Sequence, residues 1–425
     1  MDLPRIRTRH LVILSLYGLA LSMTASSLDP PVFTAKVNQI IADSAWRNTA
    51  LGIITFLGLL IAAVAQPVWG TFSDHASSRW GRRIPFLVGG SLANLLLFYL
   101  LAVVGELWLL GVTVLCIQIS SNAVQGAYQG LIPDRVPATQ MGVAAGVKSL
   151  VEFPAVVVGP LVVGILLGMP DWPLLSRLLG VAAFLQIIYI AVTLLTLWHA
   201  RRNPASALPP AYAPRRMGLG TAVRKTFRAD WREHHDLRWW LLNRFLFWFA
   251  LLTLRSFLIN YLEQVIGFSA AEAQRVTGLL GSVLGLLIFL VVLPSGYIAD
   301  RVGRRRLLTL AGLLASAGTF VLLAARSLPL MFFAGLIIGL GGGLFVTSSW
   351  ALATEMVPKE EAARYLGLTN LATAGGSAAA RLTGPLIDGI NFAFGTTALG
   401  YMGVYALGGV LFLLSSWAIG HVARD

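Results

Sequence analysis

Charge is scarce in this chain, and cysteine is nearly absent. Of 425 residues, only 12% are Asp, Glu, Lys or Arg, about half the share a soluble domain carries. The single cysteine, Cys116, lies inside an apolar run, which excludes a disulfide framework and a cysteine-built metal centre. Histidine is thin too: His10, His75, His199, His234, His235 and His421 all fall at or outside the ends of apolar runs. No nucleophile elbow, metal-ligand spacing or phosphate loop is visible, so neither catalysis nor a cofactor is expected. What the chain has in excess is hydrophobic surface, 56% of residues with a mean hydropathy of +0.75. That is the composition of a membrane protein. The net charge of +13 does not imply nucleic acid, because the cations gather in loops on one side of the apolar runs.

Twelve apolar spans can be counted, at 11–28, 49–69, 84–104, 108–132, 141–168, 174–198, 239–262, 276–298, 306–325, 329–353, 366–389 and 396–420. Each is long enough as a helix to cross about 30 Å of hydrocarbon. The basic start (Arg5, Arg7, Arg9) and first run partly resemble a signal peptide, but eleven further spans favour an uncleaved helix. With the N-terminus inside, cytoplasmic segments hold 23 of the 32 Lys and Arg and the outer loops five. Both termini are therefore expected in the cytoplasm of a cell (inner) membrane. Nine of the cations lie in 199–238, whose Pro-rich part reads as a linker and whose Leu219–His235 stretch reads as a surface amphipathic helix.

One turn organises the pattern. Gly70, Asp74, Gly81, Arg82 and Arg83 close the second span and open the third, and Gly296, Asp300, Gly303, Arg304 and Arg305 repeat that order further on. Gly70 and Gly296 differ by 226 positions, as do Asp74 and Asp300. Asp134-Arg135-Val136-Pro137 matches Glu355-Met356-Val357-Pro358 at an offset of 221, and Gly159-Pro160-Leu161 matches Gly384-Pro385-Leu386 at 225. Three matches in one order imply a duplicated membrane transporter. The expected fold is all-α, twelve transmembrane helices in two six-helix bundles: 1–198, a basic cytoplasmic linker 199–238, and 239–425. Gly70 is expected to let two helix backbones approach closely.

The pattern GxxSDxxxSxxGRRxPF at Gly70–Phe86, preceded by Gln66-Pro67, resembles the glycoside–pentoside–hexuronide symporter branch of the major facilitator superfamily, and most of all its sucrose–proton symporters. The tracts Ala127–Asp134 and Tyr365–Leu371 are similar to that branch as well. The resemblance implies that Gly70, Asp74, Gly81, Arg82 and Arg83 latch the cytoplasmic side shut. Two features depart from the branch. Ile84 stands where a third Arg is usual, and 49–69 lacks the acidic residues that sodium-coupled members carry, which argues against a sodium site of that type.

Charges inside the spans are functional candidates, because each costs about 2.5–3.5 kcal/mol on insertion scales. Lys148 and Glu152 stand four apart in the fifth span, on one helical face, with Glu152 near the midplane. They are the expected proton-coupling pair, with a structural ion pair as the alternative. Arg255 and Arg381, in the seventh and eleventh spans, are cavity candidates, with Asp29 and Asp388 as possible ion partners. Gln118, Asn122, Gln125 and Gln129 share one face of the fourth span, suited either to substrate hydroxyls or to bonds between helices. Trp248 and Trp350 are read as sugar-stacking rings or as packing and interface anchors.

The expected function is secondary, proton-coupled transport of a glycoside or similar polyhydroxy solute by a monomer in the bilayer. Two rivals stay open. The Gly159-Pro160 element suits export of an amphipathic or lipid-like compound, and a transporter-shaped assembly factor would move nothing.

Overall fold

The computed structural model describes residues 7–422 apart from 77, 79–81, 133, 135, 138–139, 203–234 and 357–361. The described residues form helices and turns, with no strand among them. In chain order the helices are α1 (Thr8–Ser27), α2 (Phe33–Ile40), α3 (Arg47–His75), α4 (Ile84–Val103), α5 (Leu107–Leu131), α6 (Met141–Leu167) and α7 (Leu174–Arg202). After the basic segment come α8 (His235–Tyr261), α9 (Ala270–Val302), α10 (Arg304–Ala324), α11 (Leu328–Met356), α12 (Ala362–Arg381), α13 (Thr383–Phe394) and α14 (Leu399–Ile419). In hydrocarbon no water serves the backbone, so only elements that satisfy their own N–H and C=O groups can span it.

Eleven stretches among the described residues are long and apolar enough to cross a membrane. The expected twelfth, 366–389, is two helices that break at Leu382. The break follows the buried Arg381 and precedes Gly384-Pro385, where proline removes a backbone donor. The first span also differs from its expected bounds. It continues through a kink at Asp29 into α2, where a loop is predicted. Lys36, expected in an outer loop, is 1% exposed. Its ammonium donates to the carbonyls of Ala102 (3.2 Å) and Val104 at the end of α4, which satisfies groups a helix terminus leaves open. The linker centre, 203–234, lies outside the described residues.

The chain forms two compact units. Unit 1 holds Met1–Ala42, Ile54–Pro214 and Ala270–Leu279; unit 2 holds Asp43–Ile53, Arg215–Ser269 and Leu280–Asp425. In unit 1, α1 packs on α5, α6 and α7, and α4 packs on α5 and α7. In unit 2, α8 packs on α12 and α14, and α10 on α11 and α14. Large side chains such as Ile187, Leu194 and Leu195 on α7 stand exposed, as residues facing lipid do.

Two helices begin in one unit and end in the other. The first turns of α9 dock on α6 in unit 1, where a Cβ on Gly278 would lie 2.5 Å from the Pro160 carbonyl and 2.6 Å from the Gly164 Cα. The first turns of α3 dock in unit 2, where a Cβ on Gly52 would strike the Arg381 carbonyl and one on Gly384 the Asn48 carbonyl. Gly52 and Gly278 differ by 226 positions, the offset of the repeated turns. Both Gly-Pro elements thus form docking faces on which backbones nearly touch. Asp388 closes the unit 2 contact, accepting from the Asn48 amide at 2.7 Å and the Thr49 N–H at 2.6 Å. Those groups, rather than the arginines expected as its partners, take its oxygens.

Candidate functional site

The acid near the middle of α6 is held by three helices. Glu152 Oε1 lies 3.4 Å from Lys148 Nζ, one turn earlier, and accepts from the Tyr128 hydroxyl of α5 at 2.8 Å. The Tyr128 ring also lies under the ammonium, 5.7 Å from Nζ to its centroid. On α1 the neighbour is Gly18, where a methyl group would collide with both the Glu152 carboxyl and the Tyr128 hydroxyl. Glycine therefore opens the space the acid occupies. The side chains of Glu152 and Lys148 keep 22% and 39% exposure, so the pair is reachable from the surface of its unit. Tyr128 was visible in the sequence only as part of a resembling tract; nothing in its spacing marked it as the acid's partner.

The basic turn is built differently from expectation. A Cβ on Gly70 would meet nothing within 4 Å, whereas one on Gly126 of α5 would lie 2.8 Å from the Gly70 nitrogen and 2.9 Å from the Gln66 carbonyl. The backbones do approach, but Gly126 is the residue that must lack a side chain. Arg82 and Arg83 both grip Asp134, with Arg82 Nη2 2.5 Å from Oδ1 and Arg83 Nε 2.9 Å from Oδ2. Arg83 also donates to the Ser73 hydroxyl at 2.5 Å, and its guanidinium fills the space above Gly130. Asp134 is legible in the sequence only as part of a repeat and as the end of a resembling tract. In the second turn Gly303 has φ +96°, a conformation open to glycine. Arg304 donates to the Ala351 carbonyl at 3.0 Å and Arg305 to that of Gly420. Gly81 and the side chains of Asp74, Gly296 and Asp300 lie outside the described residues.

The remaining candidates scatter. The Asn122 amide turns back onto the Gln118 carbonyl at 2.8 Å, while Gln118 itself lies against Gly58 of α3. Gln125 is half-buried and Gln129 exposed. Arg381 is buried and donates to Ser256 at 2.5 Å, while Arg255 is exposed. Trp350 stacks on a residue the sequence reading left aside, Arg244, whose guanidinium carbon lies 5.4 Å from its ring centroid. Trp248 is half-buried on the same helix as Arg244. Among the described residues no cluster of three His, Cys, Asp or Glu is placed to hold a metal ion.

The family described as Major Facilitator Superfamily matches residues 11–381, and again 273–424. The chain belongs to that superfamily. It is a multi-pass membrane protein. Among relatives, it is 29% identical over 126 residues to the minor myo-inositol transporter IolF of Bacillus subtilis, covering 29% of this chain and 26% of that one. It is 30% identical over 134 residues to an uncharacterized transporter of this type, YuxJ, from the same organism, covering 32% and 33%. The chain thus spans a third or less of the length of these two relatives. The multi-drug resistance efflux pump PmrA of Streptococcus pneumoniae is 24% identical over 375 residues, 84% of this chain and 83% of that one. The fold is that of a bacterial homologue of the human lysosomal transporter Spinster, in an inward-facing and occupied conformation (TM-score 0.71, 15% identity, 97% and 96% covered). It is equally that of the nucleoside transporter NupG (0.73, 12%, 98% and 100%).

Proposed function

We propose that the protein is a proton-coupled secondary transporter of a glycoside, sugar or similar polyhydroxy solute. The observation that carries this reading is the Glu152 carboxyl, bracketed by the Tyr128 hydroxyl and the Lys148 ammonium and left open by Gly18. Three helices meet at this carboxyl, so any rearrangement among them changes the donor and the cation that face it, which is what coupling requires. The sucrose-carrier-like turn supports the substrate class, as does the partial likeness to a transporter named for myo-inositol, a polyol. In this reading twelve spans form two six-helix bundles, 1–198 and 239–425, joined by 199–238. Both termini lie in the cytoplasm, and the monomer sits in the cell membrane. The pairing of Arg82 and Arg83 with Asp134 acts as the cytoplasmic latch.

A second reading, export of an amphipathic compound, is favoured by the likeness to the PmrA efflux pump, which extends over most of the chain. The two separate in reconstituted vesicles under an imposed pH gradient. Symport predicts uphill uptake of sucrose, xylose or myo-inositol that collapses with the gradient. Extrusion of a fluorescent amphiphilic cation, with no gradient-driven uptake of any of the three, would replace the symport reading with export.

A further inference from the structure

Unit 2 holds a buried cation with no acid beside it among the described residues. Arg244 of α8 is 5% exposed. Its Nε donates to the Thr373 hydroxyl of α12 at 2.8 Å, and its Nη1 to the Ser349 hydroxyl of α11 at 3.0 Å. The faces of Trp240 and Trp350 lie 5.7 and 5.4 Å from the guanidinium carbon. Among the described residues no carboxylate pairs with it. Hydroxyls and ring faces orient a guanidinium but leave its charge uncancelled, and a buried unpaired charge is costly to keep. One turn further along α8, the buried Trp248 indole N–H also has no acceptor. Trp240 closes the inner side, while Trp350, 41% exposed, puts the cluster at the surface of its unit.

The duplication shows what this cluster corresponds to. Tyr17 of α1 bonds Thr193 of α7, and Asn243 of α8 bonds Ser415 of α14. These pairs match at offsets of 226 and 222, so α8 repeats α1 in register. In that register Arg244 stands for Gly18. At the offsets already found for the other helices, Ser349 stands for Tyr128 (221) and Thr373 for Lys148 (225). The Arg244 cluster is the repeat counterpart of the Glu152 site. In unit 1 an acid on α6 reaches toward a bare position on α1; in unit 2 a base on α8 reaches toward a hydroxyl on α12.

We infer that Arg244, with Ser349, Thr373 and the Trp248 N–H around it, binds an anionic oxygen group, a carboxylate or a phosphate ester, carried by the transported solute. Trp350 supplies a flat surface for the ring or chain that bears it. The proposal rests on the transport reading above and narrows its substrate from polyhydroxy solutes in general to acidic ones, such as a sugar acid or sugar phosphate. A guanidinium suits these groups because its fork matches their paired oxygens.

The test uses the purified full chain in detergent and thermal shifts with glucose, glucuronate, glucose 6-phosphate and dihexanoyl phosphatidic acid. It compares the wild type with Arg244→Met, Arg244→Lys and Ser349→Ala. Glucuronate or glucose 6-phosphate should stabilise the wild type, with affinity falling at least about thirtyfold in Arg244→Met and less in Arg244→Lys. Stabilisation by the phosphatidic acid alone, lost in Arg244→Met, would uphold the anion site and assign it to a lipid headgroup. Without ligand, Arg244→Met should melt no lower than the wild type, since it removes an unpaired buried charge. The inference is overturned if glucose matches the acids, if Arg244→Met keeps the anion response, or if no anion shifts the wild type. It also falls if Arg244→Met and Ser349→Ala both melt well below the wild type when empty, because the guanidinium is then structural. Glucose binding unaffected by these variants would leave the transport reading intact while removing this one.

Discussion

Glu152 and Arg244 occupy corresponding gaps in the two units, with opposite charge and from opposite helices. The hydrogen bonds that fix the frame are kept in both: Tyr17 to Thr193 in unit 1, Asn243 to Ser415 in unit 2. Inside that frame the contents have diverged. Unit 1 has a cation beside its acid, with the carboxyl packed on Gly18; unit 2 has a cation enclosed by rings and by hydroxyls that accept from it. A paired acid with partial exposure is suited to trading a proton, and a lone buried base to holding an anion. On the proposed reading, one scaffold present twice divides coupling and recognition between its copies.

The sharpest way to break this comparison is to remove the acid. A gradient of one pH unit supports about tenfold accumulation by one-proton symport, since tenfold corresponds to about 1.4 kcal/mol. Glu152→Gln should reduce that ratio to one while counterflow exchange of substrate across the vesicle wall continues. Accumulation that survives the substitution would make the pair a structural bridge and leave unit 1 without its assigned role.

A second test fills the space that distinguishes the two gaps. Gly18→Ala places a methyl group against the Glu152 carboxyl and the Tyr128 hydroxyl. Overpacking of this kind costs roughly 1–3 kcal/mol, and gradient-driven uptake should fall roughly tenfold, about 1.4 kcal/mol of that range. Gly89→Ala is the control, because a Cβ there meets nothing within 4 Å. Equal effects from the two alanines would show that helix packing in general, rather than the acid's own space, limits transport.

The turns offer a third contrast. Asp134→Asn leaves Arg82 and Arg83 without their shared charge, a loss of about 1 kcal/mol once solvent screening of a partly exposed pair is counted. Uptake should drop about fivefold with the amount of protein in the membrane unchanged. Arg305→Gln removes a bond to the Gly420 carbonyl at an exposed position and should cost less. A larger effect from Arg305→Gln would invert the assignment of the latch to the first turn.

Much of this was legible before any coordinates. Apolar runs marked the eleven spans that the described residues contain, because the bilayer leaves a chain few alternatives. The offsets of 226, 221 and 225 exposed the duplication, and Lys148–Glu152 stood out as charges where charges are costly. What stayed hidden depends on rotation about a helix axis. Which of two glycines faces a neighbour, Gly70 or Gly126, is set by packing and not by composition. Arg244 is a charge within a span, but its partners Ser349, Thr373 and Trp350 lie on two other helices and carry no spacing signal. Carrying the repeat offsets residue by residue from Tyr128 and Lys148 would have reached Ser349 and Thr373. The break at Leu382 had a signal too, in Arg381 followed by Gly384-Pro385, although nothing in it distinguished a kink from an end.

The smallest effect tests how finely the unit 1 site is tuned. Tyr128→Phe removes one hydroxyl and keeps the ring under the Lys148 ammonium, so packing and the cation–ring contact persist. The main loss is the 2.8 Å bond between α5 and α6, the hydroxyl's approach to the Ser15 carbonyl being longer at 3.4 Å, and such bonds in membranes average about 0.6 kcal/mol. That corresponds to roughly a threefold fall in gradient-driven uptake, with counterflow nearly unchanged, because the hydroxyl acts on the acid and not on the solute. Ser349→Ala at the counterpart position should show the reverse pattern, weakening anion binding while leaving the accumulation ratio at saturating substrate as it was. If Tyr128→Phe instead impairs counterflow as much as accumulation, Tyr128 contacts the solute. The division of labour between the two gaps would then be lost, because unit 1 would be binding cargo as well as protons.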